Sequence, residues 1–212
     1  MSKVDKNKQI KRNSLLETAF KLFTSKGIHN TSVSDIVKGA GMAKGTFYLY
    51  FKDKYDIRNK LIAHKAAELF RRADRSLEQS GMTTPVEKVI FLADNIISQF
   101  EKDKTLLSFI SKKLGWGVFR NTLIEENVFL KENVSIQDDE SNEDVYDIFH
   151  AVFDNESKYE NIEIMIFMII ELVGSTCYSS ILHGEPVKID QLKPYIFRTI
   201  RQIMEAHEIR EP

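Results

Sequence analysis

Proline is confined to four positions of this sequence, 85, 186, 194 and 212. None occurs in the 84 residues before Pro85, and the next one after it is Pro186. Proline breaks helices because it lacks a backbone N–H and its ring clashes with the preceding turn. Apolar residues recur through both proline-free stretches at helical spacing, and no strand pattern competes. The sequence therefore predicts an all-α protein.

The first part of the chain predicts three helices followed by a longer fourth one. The first ends at Gly27, the second begins after Ser32, and the second and third meet at Gly41. Asp53 precedes the fourth in the position of an N-cap residue. The predicted ranges are about 7–26, 33–40, 43–51 and 54–79.

The second part begins with the segment Thr84-Pro85-Val86-Glu87, which combines an N-cap threonine, proline at the first helical position and a capping-box glutamate. Further helices are predicted near 103–114, 116–132, 143–154, 160–183 and 190–208, with an acidic loop at 137–144. We expect a three-helix DNA-binding domain over 1–54. A larger helical ligand-binding and dimerisation domain follows over 55–212, and the fourth helix links the two.

Charge is distributed unevenly along the chain. Residues 1–72 hold 16 Lys and Arg against 6 Asp and Glu, whereas residues 73–212 hold 14 against 25. Lys and Arg that neutralise phosphates gain by releasing counterions, so the first part is expected to contact a polyanion. A basic, solvated face without a partner is the alternative that charge alone leaves open.

Two short helices joined at a glycine within a basic segment are typical of a helix-turn-helix. Apolar side chains would hold the pair at its crossing angle, among them Ile36 and Phe47. The opposite face of the third helix then presents a cation, a bare backbone, a hydroxyl and a phenol, which suit phosphate and base-edge contacts. These are Lys44, Gly45, Thr46 and Tyr48.

Residues 31–54, TSVSDIVKGAGMAKGTFYLYFKDK, resemble the signature of the TetR-type (tetracycline-repressor-like) bacterial transcriptional regulators. The match includes Gly41, Gly45, Thr46, Tyr48, Tyr50, Phe51 and Lys54. Three positions depart from the pattern, with Val37 for alanine, Met42 for valine and Ala43 for serine. Because a serine at position 43 would cap the recognition helix, Ala43 is expected to leave the start of that helix less well satisfied.

The resemblance implies a homodimer that binds a pseudo-palindromic operator on double-stranded DNA, usually as a repressor released by a small-molecule effector. Tyr48, Lys52 and Lys54 are candidate phosphate contacts, the last two beside a helix N-terminus. Lys44 and Thr46 are candidate base contacts. The full set of predicted DNA-binding residues is Thr31, Ser32, Lys44, Gly45, Thr46, Tyr48, Lys52 and Lys54.

The helix predicted at about 160–183 is apolar nearly all round from Ile162 to Val173. One layer of neighbours would not cover such a helix, so we expect it to pair across a two-fold axis together with the helix at about 190–208. A central helix in a monomeric domain is the alternative. The apolar run is too short to span a bilayer, and no membrane partner is expected.

Bulky side chains between these elements could line an effector chamber, although side chains of this kind at helical spacing also form ordinary cores. Glu171 could meet a cationic or hydroxylated ligand. The predicted ligand-binding residues are Phe91, Phe100, Phe109, Trp116, Phe119, Phe153, Met168, Glu171 and Tyr178.

Other chemistry finds no support in the sequence. The five histidines and Cys177 show no metal-ligand spacing, and no phosphate-binding glycine loop or nucleophile elbow occurs. We therefore expect no metal, no cofactor apart from an unknown effector, and no enzymatic activity. The chain has a single cysteine and no secretory leader, so a cytoplasmic location is expected. The competing function is a helical ligand carrier or interaction module that does not bind DNA.

Overall fold

The computed structural model describes residues 3–111, 152–153 and 158–209. These residues form eight helices and no strand, with one isolated antiparallel bridge between Tyr159 and Glu208. The prediction of an all-α fold is confirmed. In chain order the helices are α1 (Lys3–Lys26), α2 (Val33–Gly39), α3 (Lys44–Tyr48), α4 (Lys54–Glu78), α5 (Pro85–Lys102), α6 (Lys104–Ser111), α7 (Ile162–His183) and α8 (Ile189–Ala206).

The described residues fall into two compact units, 3–65 in the first and 66–111, 152–153 and 158–209 in the second. The division lies inside α4, the helix predicted to link the two parts. It therefore does not coincide with the predicted domain boundary at residue 54, which stays a prediction about where the DNA-binding part ends.

In the first unit α1 packs against α2, and α2 packs against α3. Its core is built from apolar side chains of four helices and of the turn after α3, which recur at helical spacing in the sequence. The most deeply buried of them are Leu15, Leu16, Ile36, Phe47, Phe51, Ile57 and Leu61.

In the second unit α7 packs against α5, α6 and α8, and α5 also packs against α6 and α8. The helix α5 begins as predicted, because the Thr84 hydroxyl accepts the Glu87 backbone N–H and the Glu87 carboxylate accepts the Thr84 backbone N–H. Between α5 and α8, Lys193 Nζ lies 3.1 Å from a carboxylate oxygen of Asp94 and 3.1 Å from one of Glu101.

The helix α7 is the most apolar of the described helices, and it packs against α5, α6 and α8. Its mean hydropathy reaches 1.7 over an 18-residue window, so among the described residues it has the length and composition to cross a membrane. A third of that window is buried inside the fold. This 18-residue window is longer than the apolar run from Ile162 to Val173, from which no membrane partner is expected.

The predicted helices agree with the observed ones except at their ends. The helix α1 begins at Lys3, four residues before the predicted start, and α3 ends at Tyr48, so Tyr50 and Phe51 lie in the turn after it. That turn still follows helical geometry, because the N–H groups of both residues donate to the Phe47 carbonyl. The predicted helix 116–132, the loop 137–144 and all but two residues of helix 143–154 lie outside the described residues.

Candidate nucleic-acid interface

The helices α2 and α3 are joined by a tight turn of the helix-turn-helix type. The helix α2 begins with a capping box, in which the Ser32 hydroxyl accepts the Asp35 backbone N–H and the Asp35 carboxylate accepts the Ser32 backbone N–H at 2.9 Å. After Ala40 the chain turns at Gly41, whose φ of 66° lies in the left-handed region that glycine adopts without strain. The predicted glycine turn is confirmed.

The start of α3 lacks a side-chain cap. Ala43 occupies the N-cap position, and it makes no side-chain hydrogen bond there. This confirms the consequence expected from alanine at this position. The helix is five residues long, and one helical turn has little stability of its own. Its order therefore depends on what it packs against.

Aromatic side chains anchor α3 to the core of the first unit. Phe47 is completely buried, and its ring lies 5.5 Å from the ring of Phe51. Tyr50 is half-buried beside Phe51, and burial raises the pKa of its phenol. With this face turned inward, the opposite face of α3 is available to a ligand.

The outward face of α3 carries the predicted contact residues. Lys44 and Gly45 are exposed, Tyr48 is 53% exposed, and Thr46 is half-buried. The structure therefore brings these four residues together on one short helix, as the sequence predicts.

Gly45 requires no special backbone geometry, because its φ does not lie in the left-handed region. A Cβ built on it would meet no atom within 4 Å. Glycine in a helix costs about 1 kcal/mol relative to alanine. Nothing within the described fold therefore explains why this position carries glycine.

Leu49 is a surface residue that sequence reasoning missed. It follows α3 directly and is 79% exposed, the highest exposure among the large apolar side chains of the described residues. The pattern around it contains the signal, because Phe47 and Phe51 are both buried and a residue midway between them points away from the core. An exposed leucine beside Tyr48 offers an apolar contact of the kind that thymine methyl groups accept.

Thr31 lies at the edge of this surface but faces inward. Its side chain is 1% exposed, and its hydroxyl donates to the Gly27 carbonyl at 2.8 Å. The hydroxyl is therefore inaccessible to a ligand, unlike the DNA contact predicted for it. Ser32, the next residue, is exposed, and its hydroxyl also donates to Asp35 at 2.8 Å.

The Asp35 carboxylate is the acidic centre of this surface. The pKa of Asp35 is lowered to about 2 by three groups. The largest effect comes from the Ser32 backbone N–H, followed by the Ser32 hydroxyl and Lys26. The ammonium of Lys26 lies 3.0 Å from the carboxylate. Because the carboxylate accepts all of these groups, it stays ionised and keeps the start of α2 in place.

The start of α4 contains the last two predicted contacts, Lys52 and Lys54. Asp53 caps the helix by accepting the backbone N–H groups of Asp56 and Tyr55, and these bonds lower its pKa. Lys52 is exposed. Lys54 is half-buried, and its ammonium donates to backbone carbonyls of the loop between α1 and α2. The two lysines therefore have different surroundings, which the sequence did not distinguish.

The predicted effector residues in the described part all belong to the second unit. Phe100 and Phe153 are buried in its core, whereas the others are half-buried. The half-buried ones are Phe91 on α5, Phe109 on α6, and Met168, Glu171 and Tyr178 on α7. Trp116 and Phe119 lie outside the described residues. Within the described ranges no group of three or more His, Cys, Asp or Glu side chains could hold a metal ion.

Residues 15–61 match the family model of bacterial regulatory proteins of the tetR family. Among curated relatives, the HTH-type transcriptional regulator YdgC of Bacillus subtilis is 35% identical over 102 residues, which cover 46% of this chain and 52% of that one. The fatty acid metabolism regulator protein of the same organism is 32% identical over 101 residues, which cover 48% and 51%. The chain thus matches about half the length of these relatives.

Solved structures share the fold over most of the chain. A tetR family protein from Shewanella sp. PV-4 covers 94% of this chain and 99% of its own, with a TM-score of 0.60 and 18% identity. FadR from Bacillus subtilis, solved in complex with stearoyl-CoA, covers 88% and 96%, with a TM-score of 0.57 and 19% identity. Residues 15–61 therefore resemble the helix-turn-helix segment of the tetR family of bacterial regulatory proteins, and the fold of the chain is similar to that of these solved structures.

Proposed function

We propose that this protein is a ligand-responsive transcriptional regulator, acting as a repressor, that binds a pseudo-palindromic operator as a homodimer. The observation that carries the proposal is the exposed face of α3. It presents Lys44, Gly45 and Tyr48 outward while Phe47 and Phe51 anchor its other side. A helix held in this way fits the major groove of duplex DNA.

The proposed DNA contacts fall into two groups, those to base edges and those to phosphates. Lys44, Gly45 and Thr46 face the base edges, whereas Tyr48 and Lys52 contact phosphates. Ser32 lies at the start of α2 and contacts the sugar-phosphate backbone of the DNA. Thr31 is omitted from the set because its hydroxyl is turned inward.

The proposed homodimer uses α7 and α8. Apolar and aromatic side chains on these helices stay in water in the single chain, with exposures of 54% for Ile164, 37% for Phe167 and 58% for Tyr195. Burying them against the same surface of a second copy gives an isologous contact, whose symmetry matches that of a palindromic site.

The proposed effector binds in the second unit and alters the DNA-binding state through α4. This helix contributes residues to both units, so a change in its tilt would move the attached α3. Two recognition helices must lie about 34 Å apart to enter successive major grooves, and a small tilt changes that spacing. The effector shifts the equilibrium between these states by binding one of them more tightly. A repressor of this kind acts in the cytoplasm and needs no catalytic group.

The experiment that tests DNA binding is selection of duplexes from a random pool by the full-length protein. Affinities for the selected and a random duplex are then measured over a series of salt concentrations. A regulator retains a defined sequence, and the logarithm of its affinity falls linearly with that of salt, at about −0.9 per neutralised phosphate. A protein that enriches no sequence, at any salt concentration, is not a DNA-binding regulator.

The contribution of Lys44 is tested with Lys44→Ala, using Lys102→Ala on α5 as the matched control. Loss of a base contact is expected to cost about 1 to 3 kcal/mol on the selected duplex and to relax base preference. Equal losses on both duplexes would make Lys44 a phosphate contact. Stearoyl-CoA, which the Bacillus subtilis FadR structure contains, is the first effector probe. Release of the selected duplex on its addition would support an acyl-CoA effector.

A further inference from the structure

The ammonium group of Lys54 is surrounded by backbone carbonyls. Its Nζ lies 3.0 Å from the carbonyl oxygen of Ile28, 3.2 Å from that of Thr31 and 3.3 Å from that of His29. A lysine ammonium has three N–H donors and no acceptor. These carbonyls therefore match the donors of Lys54 in number.

The loop that holds these carbonyls connects the end of α1 to the start of α2. The carbonyl end of a helix carries partial negative charge, which favours a nearby cation. A hydrogen bond from the Thr31 hydroxyl to the Gly27 carbonyl connects the two ends of this loop. Ser32, the N-cap of α2, follows directly. Lys54 thus joins the first turn of α4 to the segment from which α2 starts.

The placement of α3 depends on that of α2. The two helices pack together, and α3 is a five-residue helix without a side-chain cap. A short helix of this kind takes its orientation from its neighbours. Any shift of the loop that begins α2 would therefore be passed to the face that carries Lys44 and Tyr48.

We infer that Lys54 is a positioning residue for DNA binding, which fixes the loop between α1 and α2 against α4, and that it does not bind a phosphate. The inference rests on the proposed DNA-binding function. The same site predicts a different role for Lys52, which is exposed and free to contact a phosphate of the duplex.

The test compares Lys54→Arg and Lys54→Gln with Lys52→Gln in the full chain. Arginine keeps the positive charge and binds phosphate well, but its planar fork does not direct three donors at converging carbonyls. Affinities are measured on the selected duplex and on a random duplex, over a salt series. Circular dichroism gives the folded fraction of each variant, and the affinities are corrected for it.

For Lys54→Arg we expect a loss of about tenfold on the selected duplex, less than about twofold on the random duplex, and an unchanged salt slope. A residue that only stabilised the fold would leave the ratio of the two affinities unchanged after correction. For Lys52→Gln we expect equal losses on both duplexes and a salt slope reduced by about one.

A second readout needs no DNA. Hydrogen exchange at the backbone N–H groups of Thr31 and Ser32 is measured in the free protein, since these groups bond to the Ile28 carbonyl and the Asp35 carboxylate. Lys54→Gln is expected to speed exchange there by about tenfold relative to Lys52→Gln. This result stands even if no duplex is selected, so failure of the proposed function and failure of the inference are distinguishable.

The inference is overturned by either of two results. One is unchanged exchange at Thr31 and Ser32 in Lys54→Gln. The other is wild-type binding of both duplexes by Lys54→Arg together with a salt slope reduced by about one in Lys54→Gln, which would make Lys54 a phosphate ligand.

Discussion

Gly39 of α2 faces Thr18 of α1 at a distance that leaves no room for a Cβ unless the Thr18 side chain shifts. A Cβ added to Gly39 would lie 2.7 Å from Cγ2 of Thr18. The methyl group belongs to a β-branched side chain with few alternative rotamers. The close contact between the two helices therefore depends on the absence of a side chain at position 39.

Gly39→Ala is expected to destabilise the protein. The clash of the added methyl group with Thr18 Cγ2 is expected to cost more than the gain of up to about 1 kcal/mol from the better helix propensity of alanine, because the Thr18 side chain or the helix must shift. The measurement is the free energy of unfolding in urea. Adding Thr18→Ser removes the clashing methyl group, so the double variant should recover most of the loss. Equal stability of Gly39→Ala and the parent protein would contradict the close contact.

Gly45→Ala is expected to have the opposite effect on the fold. The position is exposed and has open space around it, so alanine should stabilise α3 by about 0.5 to 1 kcal/mol. Affinity for the selected duplex should fall nonetheless, because an added methyl group keeps the duplex from approaching the backbone. Thermal unfolding and DNA titration measure the two effects. A variant with raised stability and unchanged affinity would show that the duplex does not approach Gly45.

Acid is expected to weaken the start of α2 through Asp35. The pKa of this carboxyl is about 2 in the folded chain against an ordinary value of 3.8. A group with a depressed pKa stabilises the fold above its ordinary pKa, and the stabilisation is lost as the pH falls through the folded value. The stability difference between the parent protein and Asp35→Asn should therefore be constant above about pH 5, decrease as the pH falls below that, and be mostly lost at about pH 2.

The measurement is thermal unfolding from pH 6 to pH 2, within the range where the chain remains folded. Glu78→Gln, at an exposed position in the last turn of α4, is the control. A difference for Asp35→Asn that persists unchanged at the lowest pH would exclude the capping carboxylate as its source.

Cys177 is expected to resist thiol reagents in the native protein. It is completely buried, and burial raises the pKa of its thiol to about 12 from an ordinary 9.0. At pH 8 this corresponds to an about thousandfold smaller thiolate fraction, and the thiolate is the reactive form. Labelling with an aromatic disulfide should be slow in buffer and fast in denaturant. Rapid stoichiometric labelling of the folded protein would show that α7 opens readily.

The sequence predicts well those parts of the fold whose conformation depends on residues no more than four positions apart in the chain. The capping pairs Ser32 with Asp35 and Thr84 with Glu87, and the turn at Gly41, all depend on hydrogen bonds or dihedral angles set by near neighbours. The missing cap at Ala43 is of the same kind. Local chemistry of this sort is visible in the order of the residues.

The parts that escaped prediction depend on residues far apart in the chain. The carbonyl partners of Lys54 are 23 to 26 positions away. The contact of Gly39 with Thr18 likewise needs the crossing of two helices. Helical periodicity shows which face of a helix is apolar but not which neighbour meets it. A lysine at a helix start therefore suggested a phosphate contact, although its donors are directed at the protein itself.

The helix α4 gives its first twelve residues, 54–65, to one compact unit and residues 66–78 to the other. A gene fusion that exchanged the second unit for that of a relative at this boundary would join two half-helices of foreign sequence. The segments 51–53 and 79–84 on either side of α4 are not helical. A chimaera joined within either segment is therefore expected to keep α4 intact, whereas one joined after residue 65 would interrupt it.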